Sequence, residues 1–420
     1  MKRAGAALHV TMETSLQHDS TESARLSGLR VVHVVTVGMS FTLLRSTFDY
    51  LRAKGVELHA VSSPGPDLDY WHSELDLPVH EFRMPRRISP LHDILAVLML
   101  WRLLRRLQPA IVHAHTPKAG LIGMLAAKAA NVPVRIYHLR GLPLEGARGW
   151  KRHALIWAER TTCRIAHRTI AVGHTLRSKA LQLRLVAPAR IVVLENGSGQ
   201  GVDAKVRFDQ ERLQSGRNAV REGLGIPTEA VVVGFVGRLA RDKGVAELYE
   251  AWRDLSRKFN HLRLLIIGPD DERDPIPGNV RAALQRDPKV CRVDATWDVP
   301  KLYTAMDIVA FPTRREGFPN VPLEAAAMRL PVVASMIPEC AEAVVDGVTG
   351  TLVPVGDARA LTDALHRYIV DPELRATHGG AGRDRVLRQF DPRRIARATY
   401  DQYCALVKAT GAPIGARVQP

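Results

Sequence analysis

An apolar run from Val231 to Val236 stops at Gly237-Arg238-Leu239 and is followed by Arg241-Asp242-Lys243-Gly244. A strand that ends in glycine and then offers Arg238 and Lys243 presents backbone N–H groups and two cations to one anion, which is what a diphosphate requires. The same spacing taken alone also fits a solvated basic turn. Further on, Phe311-Pro312-Thr313 closes a second apolar run, Glu316-Gly317-Phe318-Pro319-Asn320 makes a turn, and Val321 to Met328 reads as a helix that carries Glu324. Glu316 in the turn and Glu324 in the first turns of the helix can accept hydrogen bonds from two different hydroxyl pairs on one extended ligand. Glycine and proline in the turn allow close backbone approach, while the helix N-terminus directs amides and dipole at phosphate. Sugar hydroxyls, diphosphate and ribose diol follow one another in this way in a nucleotide sugar.

A second run, Ile111-Val112-His113-Ala114-His115-Thr116-Pro117-Lys118-Ala119-Gly120, leaves a strand and opens a helix. It directs His115 and Lys118 toward whatever occupies the centre of the molecule; His113 reads as a buried strand-end histidine. Asp67-Leu68-Asp69 has the D-x-D form that holds a divalent metal elsewhere, but it lies in a loop and reads as surface. The sixteen histidines contain no H-E-x-x-H, and Cys163, Cys291, Cys340 and Cys404 are too scattered for a metal site or a disulfide framework. Neither a metal nor a cofactor is expected. No G-x-G-x-x-G follows the first strand, which disfavours a dehydrogenase.

The elements that must position these residues alternate. Leu29 to Val37 reads as a strand, Leu43 to Lys54 as a helix ended by Gly55, and Val56 to Ser62 as the next strand. Leu91 to Leu107 reads as a helix with Ser89 as N-cap and Pro90 in its first turn. Further strands are expected at Ala110 to His113, Arg135 to His138, Thr169 to Val172 and Ile191 to Leu194. All are continuous apolar runs, the mark of parallel strands covered on both faces. Between Asn196 and Pro227 the pattern dissolves into glycine and charge, and it restarts with strands at Ala230 to Val236, Leu262 to Ile267, Val290 to Val293, Ile308 to Phe311 and Val332 to Ala334. The expected fold class is α/β, two doubly wound Rossmann-like domains facing a cleft. The reading divides the chain into a disordered leader at 1–27, an N-terminal domain at 28–203, a linker at 204–227, a C-terminal domain at 228–394, and a helix with tail at 395–420.

At 420 residues the chain exceeds one ordinary core. Its mean hydropathy is −0.08, and no stretch approaches the roughly 18 to 20 apolar residues of a membrane span. Scattered cysteines and a polar N-terminus point to the cytoplasm. The net charge is +16, of which residues 1–205 supply +13. A one-sided basic field suits an anionic membrane face, a polyanionic acceptor or nucleic acid. Aromatics make up only 5% of the chain, too few to interleave with the cations as a single-strand binder requires, so nucleic acid is not expected. The helix Leu91 to Leu107 carries an apolar run followed by Arg102, Arg105 and Arg106, a composition that fits either the membrane interface or packing on the sheet.

Gly237-Arg238-Leu239-x-x-Asp242-Lys243-Gly244, together with Glu316-Gly317-Phe318-Pro319 through Glu324-Ala325, resembles the signature of retaining glycosyltransferases of the family-4 type, which have the GT-B fold. Pro331-Val332-Val333-Ala334 and Asp346-Gly347-x-x-Gly350 extend it. The run at His113 to Gly120 resembles a narrower subgroup, the capsule, lipopolysaccharide and lipid-linked N-acetylgalactosaminyltransferases. The resemblance implies that Arg238 and Lys243 hold the diphosphate, Glu316 the transferred sugar and Glu324 the ribose, with the backbone of Gly237, Gly317, Phe318, Pro319 and Asn320 around them. It implies that His115 faces sugar and acceptor hydroxyl, and that Lys118 assists with phosphate. Arg140-Gly141 stands where such enzymes usually carry His before the glycine. The activity implied is metal-independent transfer of a hexose or N-acetylhexosamine, with retention, from a nucleotide diphosphate-sugar, UDP by resemblance, to a polyprenyl-diphosphate-linked or glycan acceptor in bacterial surface polysaccharide assembly. The enzyme would work in the cytoplasm, peripheral on the inner face of the membrane. The alternatives are a nucleotide-sugar epimerase on the same fold and a non-catalytic polyanion binder.

Overall fold

The computed structural model describes residues 26–65, 68, 71–72, 77–85, 89–294, 296 and 298–412. The expected leader up to Arg25, Asp67 and Asp69 of the D-x-D run, and the tail beyond Ala412 lie outside the described residues. The chain forms two units. The first takes the described residues up to Val172, then Arg177–Leu194 and the segment from Arg393 onward; the second takes Gly173–Leu176 and Glu195–Pro392.

In the first unit the strands are β1 Arg30–Val37, β2 Glu57–Ser63, β3 Val79–Glu81, β4 Ile111–His115, β5 Val134–Leu139, β6 Arg168–Ala171 and β7 Ile191–Val193. They form one sheet in the order β3-β2-β1-β4-β5-β6-β7 with every pairing parallel. Its helices are α1 Arg45–Ala53, α2 Pro90–Leu107, α3 Pro117–Ala129, α4 Gly149–Ile165 and, from Arg177 onward, α5 His174–Gln182, with the last helix of the chain joining them. Helices α2, α3 and α4 pack side by side in a row. On the opposite face, Phe41, Phe48, Trp71, Tyr400, Tyr403, Leu406 and Val407 close a core over Val31, Val35 and Ile111.

In the second unit, α6 Gln210–Gln214 and α7 Arg217–Gly223 precede β8 Val231–Val236, β9 Leu262–Ile267, β10 Val290–Val293, β11 Ile308–Phe311, β12 Val332–Ser335 and β13 Gly350–Val353. Their order is β10-β9-β8-β11-β12-β13, again parallel throughout. The helices are α8 Val245–Lys258, α9 Gly278–Arg286, α10 Val299–Thr304, α11 Asn320–Ala327, α12 Pro338–Ala343, α13 Ala358–Val370 and α14 Pro372–Gln389; α15 Pro392–Thr410 carries the chain back to the first unit. Each sheet is buried on both faces, which explains why the strands read as unbroken apolar runs.

Three expectations need correction. Leu26, assigned to the leader, is only 1% exposed and packs in the first unit's core. The segment expected to be a featureless linker at 204–227 contains α6 and α7. Helix α7 is anchored by polar chemistry: the buried Arg221 guanidinium donates to the carbonyls of Thr228, Ala230 and Ala305 and to Asp307, 2.8 Å away. Ser89 occupies the N-cap position of α2, but its hydroxyl makes no capping bond and lies 2.8 Å from Nδ1 of His92.

Candidate active site

In the second unit, β8 runs into Gly237, whose φ of 149° lies outside the range open to side-chain-bearing residues. Arg238 follows, with its guanidinium against the buried Asp271 carboxylate. A single 3₁₀ turn, Arg241–Lys243, then leads to Gly244 at φ 70°. A Cβ at Gly244 would lie 1.9 Å from the Pro312 carbonyl oxygen, so only glycine lets this turn press against the end of β11. That closeness brings the two halves of the motif together. The Arg314 amide donates to the Asp242 carbonyl at 2.8 Å, Arg315 Nε to the Asp242 carboxylate at 3.1 Å, and Lys243 Nζ to Glu316 Oε1 at 2.6 Å. Thr313 Oγ1 also donates to Glu316 Oε1, at 3.0 Å.

Pro319 sits at the N-cap of α11 and supplies no side-chain acceptor to the first-turn amides. Asn320 Oδ1 accepts from Ser198 Oγ at 2.8 Å. The Phe318 ring is buried, 6.2 Å from that of Phe390, which seats the turn beside Gly317. One helical turn on, Glu324 accepts from the Tyr303 hydroxyl at 3.1 Å. Burial pushes its carboxyl above the usual range, and Tyr303 and Arg207 pull it back. The structure thus joins Lys243 to Glu316, and pairs Arg238 with Asp271 and Glu324 with Tyr303. Asp271 and Tyr303 escaped sequence reasoning because neither lies in the motif; each is a buried polar residue on a neighbouring element.

In the first unit His115 ends β4, and Thr116 after it has φ 68° and ψ 153°, a conformation that costs a β-branched residue on the order of 1 to 3 kcal/mol. The Lys118 ammonium is held by Asp93 at 2.8 Å and by the Pro85 carbonyl. His115 is 1% exposed and belongs to a layer of imidazoles on three adjacent strands. His33 of β1 pairs in register with His113, and His115 with His138 of β5. Nδ1 of His33 lies 3.1 Å from Nε2 of His115, and the Tyr403 hydroxyl 2.7 Å from Nδ1 of His113. Burial, reinforced by the positive Arg140, lowers His33 to about 3 and holds the other three well below the ordinary histidine range. One nitrogen each from His33, His113 and His115 falls within 4.8 Å of the others, close enough to share a metal ion, although no sequence spacing announces it. A register count across β1, β4 and β5 would have placed the four rings together.

Among the described residues no helix is long and apolar enough to cross a membrane. Residues 42–197 match the family described as Glycosyl transferase 4-like domain, and residues 230–371 match Glycosyl transferases group 1. The chain is 33% identical over 380 residues to the capsular polysaccharide biosynthesis glycosyltransferase CapM of Staphylococcus aureus, covering 90% of this chain and 98% of that one. It is 24% identical over 365 residues to the Escherichia coli UDP-Gal:alpha-D-GlcNAc-diphosphoundecaprenol alpha-1,3-galactosyltransferase, covering 83% and 90%. Among solved structures, Anabaena HepE in complex with UDP-glucose superposes with a TM-score of 0.74 at 20% identity, covering 90% of this chain and all of that one, which shows the fold. With two parallel Rossmann-like units of the GT-B kind and a relative of this identity along nearly its whole length, the chain belongs to the family-4 glycosyltransferases and is a glycosyl-transferring enzyme.

Proposed function

We propose that the enzyme moves a hexose or N-acetylhexosamine, with retention, from a UDP-sugar to a polyprenyl-diphosphate-linked or glycan acceptor in bacterial surface polysaccharide assembly. The observation that carries this reading is the contact between Lys243 and Glu316, which joins a cation for phosphate to a carboxylate for sugar hydroxyls at adjacent strand ends. When the donor binds, its diphosphate takes over Lys243 and Arg238 together with the amides of α11, and Glu316 turns to the sugar. Glu324 accepts from the ribose diol. The acceptor hydroxyl attacks the anomeric carbon on the face the diphosphate leaves, and a phosphate oxygen receives its proton. The two cations and the helix N-terminus stabilise the charge that grows on that oxygen. His115 and Lys118 serve the acceptor side.

The named activities of the relatives support the class of donor and acceptor: one is named for capsular polysaccharide biosynthesis, and another for transfer from UDP-Gal to a diphosphoundecaprenol-linked sugar. Helix α2 supports a membrane-bound acceptor. Leu91, Ile94, Leu95 and Leu98 are 77%, 58%, 57% and 45% exposed along one stripe, and exposed Arg102, Arg105 and Arg106 follow. An exposed apolar stripe next to arginines is the composition of a helix lying in an anionic interface. In α4, Trp150 and Trp157 are exposed as well, at 71% and 67%.

The test is a panel of UDP-, GDP- and ADP-sugars scored by thermal stabilisation and slow hydrolysis, since a ligand that binds only the folded state raises the melting temperature. A UDP-hexose or UDP-N-acetylhexosamine should stabilise the protein and be turned over. Indifference to every UDP-sugar would overturn the donor assignment.

A further inference from the structure

The imidazole layer of the first unit contains more hydrogen-bonding capacity than the protein uses. Nδ1 and Nε2 of His138, Nδ1 of His115, Nε2 of His113 and Nη2 of Arg140 are all enclosed and have no partner among the described residues. His138 itself is 3% exposed, so both of its ring nitrogens are shut away from water unpaired. Buried polar groups are almost always satisfied, and a guanidinium is among the most costly to leave without an acceptor. Arg140 directly follows the last residue of β5, and its charge bears on all four rings of the layer.

The place is also where a parallel sheet receives ligands. His115 and His138 are the register pair at the carboxyl end of β4 and β5. Between His115 and the thirteen-residue helix α3 stands Thr116, held in a backbone conformation that is ordinarily left to glycine. What would complete this layer must be negative. Three of the histidines are close enough for a metal, but a dication there would face the Arg140 guanidinium, and no carboxylate among the described residues bears on these rings.

We infer that Arg140 and His138, with His115 beside them, form an oxyanion site of the phosphate or diphosphate class in the first unit. Arg140 supplies the charge and a forked donor, and His138 donates from whichever nitrogen faces the oxygen. Two molecules could bring such a group, a diphosphate-linked acceptor or the nucleotide diphosphate; that choice of sources rests on the function proposed above.

The experiment uses the full chain, wild type and the variants Arg140→Gln and Arg140→Lys. Inorganic pyrophosphate is titrated by thermal shift, once without nucleotide and once after UDP has been added to saturation. Pyrophosphate alone should raise the wild-type melting temperature, R140Q should lose that part of the response which Arg140 supplies, and R140K should keep some of it; the Arg140-dependent part persists over saturating UDP if the acceptor brings the group and vanishes if the nucleotide does. Without ligand, R140Q should melt no lower than wild type, because the change removes an enclosed guanidinium nitrogen that has no partner among the described residues. A tenfold or larger rise in KM for a polyprenyl-diphosphate-linked sugar in R140Q identifies the acceptor as the source, whereas a tenfold weaker Kd for UDP identifies the nucleotide. A ligand-free R140Q that melts much lower while its pyrophosphate response is unchanged would make Arg140 structural and overturn the site. One equivalent of Zn²⁺ or Co²⁺ retained on dialysis and lost in His115→Ala, with no response to pyrophosphate, would overturn it in favour of a metal. A chain that ignores UDP yet responds to pyrophosphate through Arg140 keeps this site and sinks the UDP reading; a chain that binds UDP with no Arg140-dependent response does the reverse.

Discussion

Lys243 Nζ and Glu316 Oε1 lie 2.6 Å apart, with both side chains mostly buried. Removing the cation leaves Glu316 still bonded to Thr313 Oγ1, and the loop keeps its Arg315 to Asp242 link. Lys243→Ala is therefore expected to remain folded while kcat/KM drops about a hundredfold or more, the usual cost of one electrostatic contact made in the transition state. Steady-state kinetics beside a melting curve check this, and wild-type turnover would remove Lys243 from the mechanism.

The Arg221 cage predicts a stability effect far from the chemistry. Asp307 accepts from Arg217 and Arg221 and from the amide of Val232 at 2.7 Å. Asp307→Ala leaves a buried guanidinium without its counter-charge, a change worth about 3 to 5 kcal/mol when the pair is fully buried. Asp307 is partly exposed, so about 2 to 3 kcal/mol is expected in urea unfolding. A loss under about 0.5 kcal/mol would mean that α7 is not anchored through this carboxylate.

Acid should weaken the first unit through the four buried histidines of the layer, His33, His113, His115 and His138. Their folded-state pKa values lie below the unfolded value near 6.5, so the unfolded chain binds more protons; the stability is present above that pH and is lost as pH falls toward about 3, the value for His33. Each such ring steepens the dependence by up to about 1.4 kcal/mol per pH unit. His33→Asn should flatten the slope between pH 6.5 and 5 whatever it does to absolute stability. Parallel wild-type and variant slopes would show that His33 is already charged in the fold.

Leu95→Glu combined with Leu98→Glu should abolish flotation of the enzyme with anionic liposomes at low salt. The melting temperature should hardly move, since both side chains are largely exposed. Unchanged flotation would take α2 out of the membrane contact.

Most strand positions were legible in the sequence because each depends on a local signal; β13 Gly350–Val353 was not among them. Val231 to Val236 is β8 as it reads, with Gly237 through Lys243 after it, and Ile308 to Phe311 is β11, with Glu316 through Glu324 after it. Helix starts were less legible: the expected helix Leu43 to Lys54 splits into a 3₁₀ segment, Gly38–Leu44, and α1. The short β3 was missed because Val79–Glu81 is only three residues long and sits at a sheet edge. The partners Asp271, Tyr303 and His33 were hidden for a different reason. Each acts across elements distant in sequence, and a single chain shows residue types and spacing but not which strand lies beside which.

Helix α15 has a consequence for how the molecule is made. Tyr400, Tyr403, Leu406 and Val407 are part of the first unit's core, and the Tyr403 hydroxyl lies against His113, 290 residues earlier in the chain. On the ribosome, where domains generally fold in the order in which they emerge, the first unit is translated first but cannot close its core until the last helix has left the exit tunnel. Until then, the apolar surface over Val31, Val35 and Phe48 waits uncovered while all of the second unit is synthesised. The unit synthesised first is therefore completed last, and a truncation of a few dozen residues at the C-terminus would damage the N-terminal half of the enzyme.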